Sequence, residues 1–311
     1  MRAIAVTEFG GPEELQELDL PEPHAGSREV RIRVHAAAVN PTDTNLRSGA
    51  YGDGGHDGPW IPGADLAGVV DEVGPDVDRW SVGDRVIAVP VPMGPHGGAY
   101  ADHVVVPAAA VVRLPDSIDV VPGSTLLMNA LTARLVLDRL ALTPGQTLAV
   151  TGAAGAFGGY VVQLAKADGL SVVADAAEDD EELVRSLGAD HVVPRGDDVA
   201  DHVRAIVPDG ADGLADGAVQ SEKVVAAVKD GGAIGTVRGW GGPAVRDIRV
   251  HPLLVFDHAE RTDLLERLRD QAEDGTLTLR VAQVFPAEKA AEAHRLLEAG
   301  GVRGRLVLDL R

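Results

Sequence analysis

The chain has 311 residues, 45% of them hydrophobic and 24% charged, with a net charge of −20 and no cysteine. That length suffices for two domains, each with its own core, and the acidic balance argues against nucleic acid or an anionic membrane surface as partner. The absence of cysteine excludes disulfides, a thiol nucleophile and any cysteine-ligated zinc.

The N-terminus alternates Ala3 and Ala5 with Ile4 and Val6 and lacks the apolar core of a signal peptide. Pro107 and Arg113 interrupt the most apolar stretch, Val104 to Val112, and no run reaches membrane-spanning length. A soluble cytoplasmic protein is expected.

From Met1 to about Pro115 the pattern is short strands punctuated by glycine and proline. Val30, Ile32 and Val34 alternate with Arg31, Arg33 and His35, the period of a strand with one wet face. Leu66–Val73, Arg85–Val89 and Tyr100–Val106 read the same way, around a polar, glycine-rich passage from Asn40 to Gly63. Strands, long loops and no strong helix predict a compact β-barrel-like domain.

After about Ser117 helices alternate with short apolar runs. Strands are expected at Thr147–Thr151, Ser171–Asp175, His191–Val193 and Ala233–Val237, and helices at Gly123–Leu140, Ala156–Asp168, Asp179–Leu187 and Ser221–Val228. Asp212–Asp216 has little β propensity and is a strand only because the alternation demands one. The pattern predicts a doubly wound parallel sheet with helices on both faces. A helix from Ala259 to Glu273, a strand near Arg280–Val284, a helix opened by Pro286 and a closing strand at Arg305–Leu310 end the chain; that last strand could rejoin the first domain.

The turn after the first strand of the parallel sheet carries Gly152-Ala153-Ala154-Gly155-Ala156-Phe157-Gly158. Glycines at a strand-to-helix turn let backbone approach a pyrophosphate, whose charge then meets the free N–H groups of the helix start. Asp175 closes the next strand, 20 residues after Gly155, where an acidic side chain meets an adenosine ribose. His56, His96 and His103 are not spaced as a metal-ligand set, and no metal site is expected.

Several motifs agree along nearly the full chain. They are Asn40-Pro41-Thr42-Asp43 with Arg47-Ser48-Gly49, Ile61-Pro62-Gly63-Ala64-Asp65 running into Leu66–Val70, Val82-Gly83-Asp84-Arg85-Val86, Gly98–Asp102, Leu131-Thr132-Ala133, the glycine loop, and Leu187-Gly188-Ala189-Asp190. In these the sequence resembles the zinc-free branch of the medium-chain dehydrogenase/reductase superfamily, the zeta-crystallin-like quinone oxidoreductases. Zinc-dependent relatives carry an early cysteine and Gly-His-Glu where this chain has Gly63-Ala64-Asp65. The resemblance implies an α/β protein, with a GroES-like β-barrel catalytic domain (1–117 and 259–311) and a Rossmann dinucleotide-binding domain (118–258). It also implies hydride transfer from a reduced nicotinamide to a small quinone or α,β-unsaturated carbonyl, a cofactor between the domains, and a homodimer.

Tyr51 is the first catalytic candidate. Asn40-Pro41-x-Asp43-x-Asn45 followed by Gly49-x-Tyr51-Gly52 matches the spacing of mitochondrial-type enoyl-thioester reductases, where that tyrosine is the proposed proton donor. The alternative is an aromatic packed in a surface loop. Asn40 and Asn45 carry amides suited to the nicotinamide ribose, the acceptor or an oxyanion, though Asn40 before Pro41 equally builds the turn. Asp43 reads as a helix cap. Asn129 and Thr132 lie where relatives contact the nicotinamide end, and Val237-Arg238-Gly239 follows the last predicted strand of the nucleotide domain, at the carboxyl ends where ligands collect.

The cofactor is NADPH or NADH. Family habit favours NADPH, but Asp175 and the acidic run through Glu182 repel a 2′-phosphate and favour NADH. Arg195 and Arg185 remain possible phosphate partners. The rival readings are reduction of an enoyl thioester or polyketide intermediate, and a non-catalytic nicotinamide-binding sensor.

Overall fold

The computed structural model describes residues 1–55 and 57–311; His56 lies outside the described residues. Strands β1 (Arg2–Ala5) and β2 (Gln16–Asp19) open the chain, followed by β3 (Glu29–Ala38), helix α1 (Pro41–Arg47), β4 (Leu66–Val73), β5 (Arg85–Ala88), β6 (His103–Pro107) and β7 (Val111–Arg113). Helices α2 (Val120–Gly123) and α3 (Leu127–Leu140) lead to β8 (Thr147–Thr151), α4 (Ala156–Ala167), β9 (Ser171–Ala176), α5 (Glu181–Ser186) and β10 (His191–Pro194). Then come α6 (Val199–Ile206), β11 (Ala211–Asp216), β12 (Val228–Thr236), β13 (Arg249–Pro252), α7 (Thr262–Glu273), β14 (Val281–Pro286), α8 (Ala290–Ala299) and β15 (Arg305–Asp309). The chain divides into two compact units, one of residues 1–128, 256–274 and 279–311, the other of residues 129–255 and 275–278.

The first unit is built on β3. Val30, Ile32 and Val34 face the core while Arg33 is exposed, and Ala36, Ala37 and Ala38 are buried where both faces are covered. Each buried Ile or Val contributes roughly 1.5–3 kcal/mol. β3 pairs antiparallel with β4 along its length, with β6 through Glu29–Arg33 and with β15 through Ala36–Ala38. The C-terminal strand thus rejoins the first unit, as its sequence suggests. Two register shifts between β3 and β4 bend the sheet.

The second unit holds a six-stranded, wholly parallel sheet in the order β10-β9-β8-β11-β12-β13. Counted from β8 that is 3-2-1-4-5-6, the Rossmann order. β11 forms despite its poor propensity. Its place between β8 and β12 supplies hydrogen bonds on both edges, and Asp212 accepts from the Thr147 N–H at 2.7 Å.

The structure corrects several sequence expectations. The polar passage after Asn40 begins with α1, seven residues too short to show an apolar stripe. The helix expected over Gly123–Leu140 is broken at 124–126, where Ser124 and Thr125 hydroxyls donate back to Val121 O and Pro122 O and compete with helical bonding. By length and composition alone Val120–Leu140 could nevertheless cross a membrane, contrary to the sequence reading. However, 72% of its apolar 18-residue stretch is buried inside the protein, as in a core helix. Ser221–Ala227 is 3₁₀ rather than α-helical, and α6 and β13 are additional elements.

Candidate functional site

The chain turns sharply between β8 and α4. Gly152 takes φ +68°, and a Cβ there would approach Gly217 C at 2.9 Å and Ala218 N at 3.0 Å. A Cβ on Gly158 would lie 2.3 Å from Gly152 O, so the helix can lie this close to the strand only with glycine there. Gly155 is the N-cap of α4, its N–H bonded to Gly152 O at 3.0 Å. Ala153 and Ala154 are buried, while Ala156 and Phe157 are half-buried in the first turn. A glycine-lined turn before a twelve-residue helix is the kind of element that can hold a pyrophosphate.

Asp175 sits beneath this loop. It is 4% exposed, accepts the Ala153 N–H at 3.1 Å, and burial pushes its carboxyl above the ordinary range. The Ala153 and Gly152 N–H groups and the Arg195 charge oppose that rise, while Asp216 reinforces it. The two cofactor candidates Asp175 and Arg195 therefore sit within electrostatic reach of each other. Arg195 is exposed just beyond β10, and its N–H bonds Ala176 O.

The other cofactor candidates are placed less tightly. Asn129 and Thr132 are half-buried one turn apart on α3. Val237, Arg238 and Gly239 form the turn after β12, with Gly239 at φ +74° and Arg238 exposed.

In the first unit, Asn45 and Tyr51 come together. Asn45 Nδ2 donates to Tyr51 Oη at 3.1 Å, and Tyr51 is 42% exposed. Asn40 is not part of this pair. It is buried, its Nδ2 donates to Ala38 O at 3.2 Å, and its main-chain N–H donates to Asp43 Oδ2 at 2.7 Å at the start of α1.

Sequence reasoning missed a buried polar cluster behind α1. Asp43 also accepts the Gly63 N–H at 3.0 Å and the Tyr100 hydroxyl at 3.3 Å, and Tyr100 Oη lies 3.2 Å from His294 Nε2. Burial raises Asp43 to about 6 and lowers His294 to about 3, the latter helped by the Arg47 charge. Asp65, fully buried, is pushed up by desolvation against the opposing Arg305 charge. Leu127 and Met128 N–H groups also favour its ionised form, although neither oxygen closes a hydrogen bond of good geometry. Also missed was Asp216 at the end of β11, which accepts from Thr151 Oγ1 at 2.8 Å. Its sequence signal was the acidic residue closing a strand, the same one that singled out Asp175.

The alcohol dehydrogenase GroES-like domain family matches residues 26–116, and the zinc-binding dehydrogenase family matches residues 187–308. The quinone oxidoreductase of Mus musculus is 30% identical over 331 residues, covering 100% of this chain and 98% of that one. The chain belongs to the quinone oxidoreductases of the medium-chain dehydrogenase/reductase superfamily. The chloroplastic NADPH-dependent alkenal/one oxidoreductase of Arabidopsis thaliana is 31% identical, over 99% of this chain and 79% of the relative. Among solved structures, an NAD-dependent alcohol dehydrogenase superposes with a TM-score of 0.87 at 31% identity, both chains fully covered. A mycobacterial protein complexed with NADPH gives 0.88 at 28%, again over both full chains. A chain of this family is a nicotinamide-dinucleotide oxidoreductase.

Proposed function

We propose that this quinone oxidoreductase relative is a zinc-independent reductase that transfers hydride to a quinone or an α,β-unsaturated carbonyl, with NADH as preferred donor. The observation that carries the reading is the glycine loop closed over the buried Asp175 carboxylate. The loop suits a pyrophosphate, and the carboxylate suits two ribose hydroxyls better than a 2′-phosphate. Glu178 and Asp179, exposed just after β9, add to the same repulsion. Zinc independence rests on Ala64 in place of a histidine and on the lack of cysteine. Among the described residues no group of three or more His, Cys, Asp or Glu could hold a metal.

When bound, the nicotinamide supplies the hydride. The N–H groups that open α4 would hold its phosphates. Toward an enone, hydride arriving at the β-carbon leaves charge on the carbonyl oxygen, which a fixed donor stabilises. Tyr51 is the donor proposed here: Asn45 already donates to its oxygen, which leaves the phenolic hydrogen for another acceptor. The acceptor gains one hydride and one proton, the proton reaching the α-carbon by way of the enol. Asn40 acts indirectly, holding the start of α1 on which Asn45 sits.

The Asn45–Tyr51 pair also favours a second reading, reduction of an enoyl thioester. We expect a homodimer, with edge strand β13 available for pairing. The primary test is titration with NADH and NADPH, followed by turnover on a simple quinone, an enone and an enoyl thioester. Binding of neither nucleotide overturns the reading; binding without turnover on any acceptor points to a sensor.

A further inference from the structure

Helix α8 grips the short helix α1 at both of its ends. His294 and Glu298, four residues apart, share one face of α8, and Asp43 and Arg47, also four apart, share one face of α1. At the first turn of α1 Asp43 accepts the Tyr100 hydroxyl at 3.3 Å, and Tyr100 Oη lies 3.2 Å from His294 Nε2. The hydroxyl has a single hydrogen and gives it to Asp43, so His294 Nε2 donates to the Tyr100 oxygen. At the last turn the Arg47 guanidinium donates to both carboxylate oxygens of Glu298. The gripping helix is itself fixed, with Ala290 and Ala293 in the core and Leu296 and Leu297 packed against it.

A helix of seven residues has too little packing of its own to set how it is rolled. Arg47 is 4% exposed and Asp43 fully buried, so the face turned to α8 carries groups that are costly to desolvate. Contacts of that kind add little net stability over apolar packing, but few placements of the helix satisfy them together. Asn45 lies two residues from each of them, about 200° around the helix, on the opposite face. There its amide donates to Tyr51 Oη, and its carbonyl accepts the Ala50 N–H at 2.9 Å and the Ser48 hydroxyl at 3.0 Å. The loop that carries Tyr51 thus hangs from Asn45, and a roll of α1 moves the phenol.

We propose that Glu298 and His294, the first through Arg47 and the second through Tyr100 and Asp43, are positioning residues that set the roll of α1 and so aim the Tyr51 hydroxyl. This rests on the reading of Tyr51 as proton donor to an enone. The influence of α8 is then confined to reactions that use the phenol. Glu298 is the residue to change first, because its side chain is 39% exposed and lies outside the core. Glu298→Ala is expected to lower kcat on cyclohexenone about tenfold, as a displaced donor does, while benzoquinone turnover and nucleotide affinity stay within about twofold. Glu298→Gln keeps an acceptor for Arg47 and is expected to restore most of the cyclohexenone rate. His294→Leu removes the donor at the other end of α1 and is expected to show the same split between the two acceptors.

The full-length variants are assayed with saturating nucleotide on both acceptors, alone and combined with Tyr51→Phe, and melted in parallel. In the Tyr51→Phe background Glu298→Ala is expected to slow cyclohexenone reduction no further, because the group it aims is gone. A purely structural glutamate would not give that coupling. Equal losses on both acceptors, a loss that persists in the Tyr51→Phe background, or a Glu298→Ala protein as fast as wild type each overturn the proposal. A His294→Leu protein without the split removes His294 from it. Should Glu298→Ala melt below the assay temperature, Glu298→Asp, which keeps the charge but falls one methylene short, decides by the same comparison. A Tyr51→Phe protein as fast as wild type, or a wild type inert toward cyclohexenone, sinks the parent reading and this proposal with it, whereas the earlier outcomes sink the proposal alone.

Discussion

Asn45 donates its side-chain amide to the Tyr51 hydroxyl at 3.1 Å, joining the helix α1 to the loop that follows it. The pair is partly open to solvent, with Tyr51 42% exposed, so the phenol can be changed with little cost to the core. Tyr51→Phe is expected to lower kcat on an enone or enoyl thioester about 10²-fold, the lower end of a lost proton donor. Melting temperature should not change. Quinone reduction, whose two oxygens can be protonated from water, should fall much less. Equal turnover of wild type and variant on every enone tested would remove Tyr51 from the chemistry.

On the proposed reading, Asp175 sets the cofactor preference. Asp175→Asn keeps an acceptor for the Ala153 N–H and removes the charge. The NADH:NADPH ratio of dissociation constants is expected to move toward NADPH by about tenfold, on the order of 1.4 kcal/mol. Fluorescence titration of both proteins with both nucleotides reads this directly. Tighter wild-type binding of NADPH than NADH would contradict the assignment.

Gly158 and Gly155 differ in the room they have. A Cβ at 158 meets Gly152 O at 2.3 Å, and one at 155 meets the same atom at 3.1 Å. Gly158→Ala must therefore push α4 off β8, at a cost of roughly 2 kcal/mol or more, and dinucleotide affinity should go with it. Gly155→Ala needs a shift of only a few tenths of an ångström and should be the milder change in both measurements. The reverse order in urea unfolding would mean that the loop is not limited by this contact.

These contacts show which parts of the candidate site were legible in the sequence. The glycine loop was, because close backbone approach leaves a residue type as its trace. Asp175 was, because it closes a strand at a fixed distance from that loop. The motifs carried the family. Asp212–Asp216 was readable as a strand only through the alternation around it, since its pairing with β8 and β12 decides its conformation. α1 was hidden by its length. The partnership of Tyr100 with His294 spans 194 residues, and no local pattern announces it.

That buried partnership makes a prediction about acid stability, with two groups of opposite sign. His294 has a folded value of about 3 against an ordinary 6.5, so between these limits the native state binds fewer protons than the unfolded chain. Its contribution is complete above 6.5 and is lost as pH falls toward about 3. Asp43 is raised from 3.8 to about 6, so there the native state holds the extra proton. Its stabilisation is present below 3.8 and is lost as pH rises through about 6. Relative to wild type, His294→Gln should therefore lose about 3 kcal/mol on going from pH 4 to pH 6.5. Asp43→Asn should gain about 2 kcal/mol between pH 4 and pH 6, both figures following from about 1.36 kcal/mol per unit of pH wherever the folded and unfolded chains differ by a full proton. Urea unfolding of the three proteins at intervals across this range measures the slopes, and any constant cost of either substitution drops out of the comparison. Parallel slopes for both variants would show that neither group titrates differently in the folded and unfolded chain. Slopes of the same sign would show that one of the two shifts runs the other way.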